Sequence, residues 1–467
     1  MSPAWITRPR SNVMDHLIEK QRDFFASGQT RPFAFRAQML RRLREAIGAC
    51  EEEIFAALAA DLGKSRVAGY TTEIGPCLAE ITHARRNLRR WTKPRRVAGP
   101  RLFPLSRGRL VCEPLGVCLV VSPWNYPFHL AIAPLVASIA AGNCTVLKPS
   151  ELSANTAQAL SRMIGRCFDE AFISVVCGGP DVAKELLERK FDHIFYTGGE
   201  RVGRIVMQAA ARHLTPVTLE LGGKSPCIVT DDCDPAKTAR RIAWGKFLNA
   251  GQTCVAPDYL LVQEPMREEL TARIKACIQD FYGVEPRESP DYGRIINGHH
   301  FDRLMGLLQG QEVLFGGQTD RDTLYISPTL LGAPADETPV MREEIFGPLL
   351  PILPFGHLSE AIDFVNRRPK PLALYVFSRS ADRQQQILAG TSSGGVCIND
   401  TIVHLTAPTL PFGGVGASGF GRYHGKAGFD AVSNQKSILH QTLLFDVPKR
   451  FAPSREEDLR LLRAMLK

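Results

Sequence analysis

Leu115-Gly116-Val117-Cys118-Leu119-Val120-Val121 is a continuous apolar run of strand length, and it opens a series. A helical stretch follows, and Cys144-Thr145-Val146-Leu147 repeats the apolar pattern. Helix signals run over 153–168, Phe172-Ile173-Ser174-Val175-Val176 reads as the next strand, and 181–188 as the next helix. His193-Ile194-Phe195-Tyr196, a helix over 201–211 and Pro216-Val217-Thr218-Leu219-Glu220-Leu221 close the series. Strands that are apolar throughout and alternate with helices must be covered on both faces, which predicts an α/β fold with a parallel sheet. Such sheets bind ligands beyond the carboxyl ends of their strands.

A second βα series begins at Pro226-Cys227-Ile228-Val229. Its helix, over 236–247, stops at Asn249-Ala250-Gly251, a plausible helix end. The series continues through Tyr259-Leu260-Leu261-Val262, a helix over 267–281, and apolar runs at Leu374-Tyr375-Val376-Phe377 and Gly395-Val396-Cys397-Ile398. Upstream, Phe35, Met39, Leu43, Ile47, Ile54 and Leu58 recur near helical spacing and predict an amphipathic helical region.

A chain of 467 residues is long for one core; roughly three domains of about 150 residues are expected. The 57 basic residues exceed the 48 acidic ones, giving +9. Much of the excess crowds into 85–109, from Arg85 and Arg86 to Arg107 and Arg109. That stretch has few aromatics for base stacking and matches no nucleic-acid module. It reads as a solvated face, or as a basic rim drawing in an anionic cofactor or substrate, so no nucleic-acid partner is expected. The most apolar segment, 128–141, is interrupted by Pro134 and is too short to span a bilayer. Residues 1–28 hold no continuous apolar run of the kind a secretory signal needs. The twelve cysteines form no CxxC pairs and no cluster with histidines, so no metal site is expected, and scattered free thiols suit a reducing compartment. These features point to a cytoplasmic protein without a membrane anchor.

The chemistry gathers at chain positions beside the predicted strand ends. Asn249-Ala250-Gly251-Gln252-Thr253-Cys254 presents a cysteine in a small polar turn, and Glu220 in Leu219-Glu220-Leu221-Gly222-Gly223-Lys224 supplies a carboxylate on a separate segment. A thiolate nucleophile needs such a base. Asn125, in Pro123-Trp124-Asn125-Tyr126-Pro127, follows a strand and is either a turn residue or an amide donor to an oxyanion. Lys148 and Glu151 follow the next strand. They either hold ribose hydroxyls or belong to a loop that starts a helix capped by Ser153. Thr197-Gly198-Gly199-Glu200-Arg201-Val202-Gly203 links a strand to a helix; its glycines either form a plain turn or let backbone approach a pyrophosphate. Glu344 and Phe346 in Glu343-Glu344-Ile345-Phe346-Gly347-Pro348 offer a carboxylate and an aromatic face, or a helix end.

Together, and in this order, these stretches resemble the aldehyde dehydrogenase superfamily over 36–436. The segments 213–226, 249–259, 291–297 and 423–426 are similar to its class 3 branch. The resemblance implies a Rossmann-like cofactor domain (1–96 and 117–221), a second α/β catalytic domain (222–430) and a small β oligomerisation excursion (97–116 and 431–449). It implies Cys254 as nucleophile, Glu220 as general base and Asn125 as oxyanion donor. Trp124, Lys148, Glu151, Gly198, Gly199, Glu200, Arg201, Val202, Gly203, Leu221, Glu344 and Phe346 would hold the cofactor. Tyr126, Trp244, Thr253, Ile402 and Leu405 would line the substrate pocket. The implied reaction is oxidation of medium-chain aliphatic or aromatic aldehydes to carboxylic acids. Glu151 favours NAD, with NADP also usable, and a homodimer is expected. Gly199 departs from the serine many members carry; it keeps the backbone amide and loses a hydroxyl. The competing readings are a CoA-acylating dehydrogenase, disfavoured by the hydrolytic base Glu220, and a non-catalytic protein on the same scaffold.

Overall fold

The structure is a computed structural model that describes residues 11–465 apart from Leu102, Pro104 and Ser454. The first ten residues of the expected cofactor domain, and parts of the 97–116 excursion, lie outside the described residues. Six strands form the first sheet, in the order Gly419–Phe420, Val217–Glu220, His193–Thr197, Val117–Val121, Cys144–Lys148, Ile173–Val175. Five of them run parallel, and Gly419–Phe420 is antiparallel at one edge. The chain winds outward from Val117–Val121 in one direction, then returns to its other side at His193–Thr197. That reversal opens a crevice at the carboxyl ends of the two strands. The loops beginning at Ser122 and Gly198 therefore face one another across it.

The second sheet has seven strands: Val313–Phe315, Thr329–Leu331, Leu349–Phe355, Tyr259–Gln263, Pro226–Val229, Ala373–Phe377 and Gly395–Ile398. All pairings are parallel except that of Val313–Phe315. Leu349–Phe355 is an interior strand that sequence patterning does not mark. Pro351 and Pro354 sit within it, opposite Leu331 and Val262, and proline donates nothing to a ladder. A third sheet joins Arg95–Val97, Arg107–Pro114 and Ser433–His440, so the two excursion segments pair with each other, from Ser433 opposite Pro114 to His440 opposite Arg107.

One expectation needs correction, that Pro134 breaks the apolar segment, and two others gain detail. The helical region of 35–58 is two helices, Phe33–Ala49 and Glu51–Leu62, divided at Cys50, which leaves the helical basin at φ −106°, ψ 11°. Pro134 does not interrupt the apolar segment. It lies inside the continuous helix His129–Ala141, every residue of which is buried. Packing on all sides offsets a proline cost of about 3 kcal/mol. The last part of the stretch expected as the catalytic domain (222–430) also meets the first sheet and its helices. Gly419–Phe420 pairs with Val217–Glu220, and the helix Gly425–Ala431 packs on Gly75–Thr92 and His129–Ala141. Among the described residues no helix is long and apolar enough to cross a membrane.

Ser153 stands at the N-cap of Ala154–Cys167, but its hydroxyl donates to Ser150 O and caps nothing. The cap comes from another helix. Asp61 Oδ1 accepts from Asn155 N (3.1 Å) and Asn155 Nδ2 (2.7 Å), and Asp61 Oδ2 from Thr156 N (2.7 Å) and Thr156 Oγ1 (2.7 Å). Asp61→Ala should therefore cost about 1–2 kcal/mol, the range for losing a capping side chain. Thermal or denaturant melts of Asp61→Ala beside Ser153→Ala check this, with the larger loss expected at Asp61.

Candidate active site

A cavity of about 950 Å³ opens at the strand ends and is lined by Trp124, Asn125, Glu220, Leu221, Cys254, Glu344 and Phe346, and by Gly198 to Arg201. The cysteine reaches it on a strained turn. The helix Pro235–Phe247 ends, and Asn249 (φ 56°), Ala250 (φ 51°) and Gly251 (φ 73°) follow in left-handed conformations. Such backbone persists in non-glycine residues only when the surroundings over-determine it. Gln252, fully buried, does this. Its amide nitrogen donates to Asn249 O (3.0 Å) and Arg294 O (2.9 Å), and its Oε1 accepts from Ile296 N (3.0 Å). Gly251 is required at its position, because a Cβ there would lie 2.2 Å from Gly347 O. Beyond the cysteine, the Tyr375 hydroxyl donates to Val255 O.

Asn125 meets this turn directly. Its Nδ2 donates to Gln252 O at 3.1 Å, which uses one of two amide hydrogens. Glu220 ends an interior strand and is 2% exposed, and neither carboxyl oxygen has a hydrogen-bond partner. A buried carboxyl without partners resists ionisation. Burial accordingly holds Glu220 well above the usual carboxylate range, and Arg422 offsets this only in part. Gly413, at φ 157°, lets the chain pass so close that a Cβ would lie 2.8 Å from Glu220 Oε1.

Burial also pushes the Cys254 thiol up, and the carboxyls of Glu344 and Glu220 push the same way; its own and the Val255 backbone N–H oppose them. The Glu344 carboxyl is pushed up to about 8 by burial and then by Asp258, with the Gly223 N–H pulling it down. Gly222 makes room for it: a Cβ there would lie 2.0 Å from Glu344 Oε2. At rest the site thus holds a thiol beside carboxyls that keep their protons to unusually high pH.

The rest of the cavity fits a dinucleotide. Gly199 is the N-cap of Glu200–Ala211 and no side chain caps that helix, so its first N–H groups are available to an anion. No atom outside its immediate neighbours approaches within 4 Å of where a Gly199 Cβ would stand. Trp124, His300 and Phe346 make an aromatic wall, with centroids 4.9 Å and 5.3 Å apart across Trp124. Val202, Gly203, Lys148 and Glu151 stand off the cavity lining. Gly203 packs against Leu221, and Lys148 Nζ pairs with Glu151 at 2.9 Å and with Pro149 O at 3.0 Å. Tyr126, Trp244, Thr253, Ile402 and Leu405 are likewise not part of this lining. Tyr126 OH and Thr253 Oγ1 are bonded at 2.6 Å, and Trp244 is 39% exposed.

Sequence reasoning missed the residues that hold the site. Lys224 Nζ bonds Asp258 and donates to Val340 O and Glu343 O, both at 2.8 Å. Asp258 Oδ1 accepts from Ile345 N (2.9 Å), and Arg303 donates to Ile345 O (2.6 Å). These bonds fix the loop carrying Glu344 and Phe346. Lys224 sits beside the quoted Gly222-Gly223 pair and Asp258 falls within 249–259, so both lie in segments that the sequence marks; Arg303 carries no such signal.

The aldehyde dehydrogenase family model matches residues 4–438. The chain belongs to the aldehyde dehydrogenase family. It is 48% identical over 430 residues to aldehyde dehydrogenase family 3 member A2 of Macaca fascicularis, covering 92% of this chain and 89% of that one. It is 49% identical over 434 residues to the dimeric NADP-preferring aldehyde dehydrogenase of Rattus norvegicus, covering 93% and 96%. The solved substrate-bound state of Staphylococcus aureus AldH superposes with a TM-score of 0.95 at 43% identity, covering 98% of this chain and all of that one. The chain is thus an NAD(P)-dependent oxidoreductase that converts aldehydes to carboxylic acids.

The raised Glu344 carboxyl has a consequence for stability. Ordinary glutamate titrates near 4.5, whereas this one titrates near 8, so between those values the folded chain holds a proton the unfolded chain has lost. Its contribution is full below the unfolded value and declines as pH rises through the folded one. Glu344→Gln, which stays neutral, should gain in melting temperature relative to the parent from pH 5 to pH 8. A constant difference across that window would contradict the assignment.

Proposed function

We propose that Cys254 is the nucleophile, Asn125 the oxyanion donor and Glu220 the base that completes the reaction. The observation that carries this reading is the convergence of all three on one cavity, with Glu220 buried and unpartnered. The Cys254 thiolate adds to the aldehyde carbonyl carbon and forms a thiohemiacetal. The carbonyl oxygen takes the negative charge and accepts from the Asn125 side-chain amide and a backbone N–H near Cys254; losing one such donor costs about 3–4 kcal/mol in the transition state. Glu344 and Phe346 would hold the nicotinamide end of a bound cofactor, which would supply the acceptor for the hydride leaving the former carbonyl carbon. The sulfur then carries a thioester. Glu220 takes a proton from water, hydroxide adds to the thioester carbon, and the carboxylic acid leaves as Cys254 recovers its thiolate. A base acts only after losing its own proton, so the raised Glu220 carboxyl makes turnover rise with pH above the ordinary carboxylate range.

Gly198 to Arg201 would hold the pyrophosphate, Glu344 and Phe346 the nicotinamide riboside, and Lys148 and Glu151 the adenine ribose. A carboxylate beside the 2′ hydroxyl repels a phosphate there, which favours NAD. Lys148 could pair with that phosphate instead, and the NADP-preferring rat relative makes NADP use a second reading. Tyr126, Trp244, Thr253, Ile402 and Leu405 would line the substrate pocket. The apolar parts of these side chains suit medium-chain aliphatic and aromatic aldehydes, and the Tyr126 and Thr253 hydroxyls are already spent on each other.

The chain would work as a homodimer in the cytoplasm. The strand Ser433–His440 pairs on one side with Arg107–Pro114, and exposed Leu439, Leu443, Leu444 and Phe445 lie in or just after it. An open strand edge with exposed apolar residues beside it favours pairing with another copy, and the rat relative is named dimeric. Sedimentation should give the mass of two chains.

Cys254→Ala should abolish NADH formation from hexanal or benzaldehyde while leaving cofactor binding intact; retained activity would reject the assignment. Glu220→Gln should give a burst of NADH followed by slow turnover, with the pH-dependent rise removed. An unchanged steady rate and pH profile would remove Glu220 from the base role.

A further inference from the structure

Beneath the loop that carries Asn125 lies a buried ion pair that the mechanism above does not use. Lys64 and Glu73 are 7% and 0% exposed, with Nζ and Oε1 2.5 Å apart. Taking two charges out of water is costly unless their remaining bonds are well satisfied. Among the described residues, the further hydrogen bonds of this pair go to one segment, 125–129. Lys64 Nζ donates to Asn125 O at 3.1 Å and lies 4.2 Å from the centre of the Tyr126 ring. Glu73 Oε2 accepts from Phe128 N (3.1 Å) and His129 N (2.8 Å). Glu73 thereby supplies the cap for His129–Ala141 that Phe128, at the N-cap, does not provide. It sits in a single π-helical turn, Tyr70–Ile74, between the helices Arg66–Gly69 and Gly75–Thr92. Such turns break helical regularity to re-aim a side chain.

The segment held this way touches the cysteine turn at three places. Asn125 Nδ2 donates to Gln252 O, Asn249 Nδ2 donates to Asn125 O (2.9 Å), and Tyr126 OH meets Thr253 Oγ1. The carbonyl of Asn125 is thus shared between Lys64 on one side and the cysteine turn on the other. We propose that Lys64 and Glu73 are positioning residues for the oxyanion site, setting the Asn125 amide against the carbonyl that Cys254 attacks. A loop displaced by a fraction of an ångström would keep its fold and lose alignment with the developing charge. Neither residue contacts the cofactor cavity, so cofactor affinity is independent of them.

This inference rests on Asn125 being the oxyanion donor, and a double-mutant cycle separates the two claims. The acylation rate constant is read from the NADH burst with hexanal, per titrated active thiol, for Lys64→Met, Asn125→Ala and the combination. Melting temperature and NADH fluorescence titration accompany each variant. Lys64→Met should slow acylation about 10-fold or more with cofactor affinity unchanged, yet slow Asn125→Ala by less than about 2-fold, the non-additivity expected of residues acting through one another. An unaltered burst, or a full additional slowing on Asn125→Ala, overturns the positioning role. Parental acylation by Asn125→Ala itself overturns the oxyanion reading instead. Glu73→Gln keeps an acceptor for the Phe128 and His129 N–H groups and removes only the charge. The same cycle built on it decides the matter if Lys64→Met does not fold.

Discussion

The side chain of Gln252 is the contact on which the site depends. Asn249, Ala250 and Gly251 all hold positive φ, and strain of that kind costs about 1–3 kcal/mol per non-glycine residue when nothing opposes it. Three hydrogen bonds from one fully buried amide tie the turn to itself and to the Arg294–Ile296 segment. The carbonyl of the same residue receives Asn125 Nδ2. One glutamine therefore fixes the nucleophile's turn, links it to the second sheet's connecting loops and docks it on the loop from the first sheet. The nucleophile's turn and the loop that carries Asn125 meet because this residue bonds to both.

Electrostatics explains why the site can be inert until loaded. Burial raises Cys254, Glu220 and Glu344 together, so none carries full charge at rest near neutral pH. A low-dielectric, water-poor pocket strengthens each hydrogen bond aimed at an oxyanion. The same environment stops the thiol from reacting indiscriminately, because the thiolate is the reactive form. Arg422, whose charge acts on Glu220, bonds to Gly414 O and Gly421 O and only moderates the carboxyl.

Much of this was legible in the chain because apolar strands and their bounding turns are local signals. Pro226–Val229 and Gly395–Ile398 fall where patterning puts them, and the other strands of the two series differ by a residue or two at their ends. What escaped depends on distant partners. Leu349–Phe355 goes unmarked in the sequence, two prolines stand in it, and its neighbours make it a strand. Asp61 caps a helix far along the chain from it, where Ser153 offered a local candidate that the backbone does not use. Lys64 and Glu73 belong to no motif, and Gln252 stands in the cysteine stretch with no local sign of its role; each matters through what the fold brings against it. Lys148 and Glu151 were visible as a pair beside a strand end, and the structure adds that they bond to each other.

The central claim is that the thiol of Cys254 carries the acyl group between oxidation and hydrolysis. Acid quenching during turnover with hexanal and NAD, followed by peptide mass mapping, tests it most directly. The account predicts a hexanoyl mass increment on the peptide containing Cys254 and on no other cysteine. An increment on a different cysteine, or turnover with no acylated peptide even when hydrolysis is slowed by lowering the pH, would contradict it.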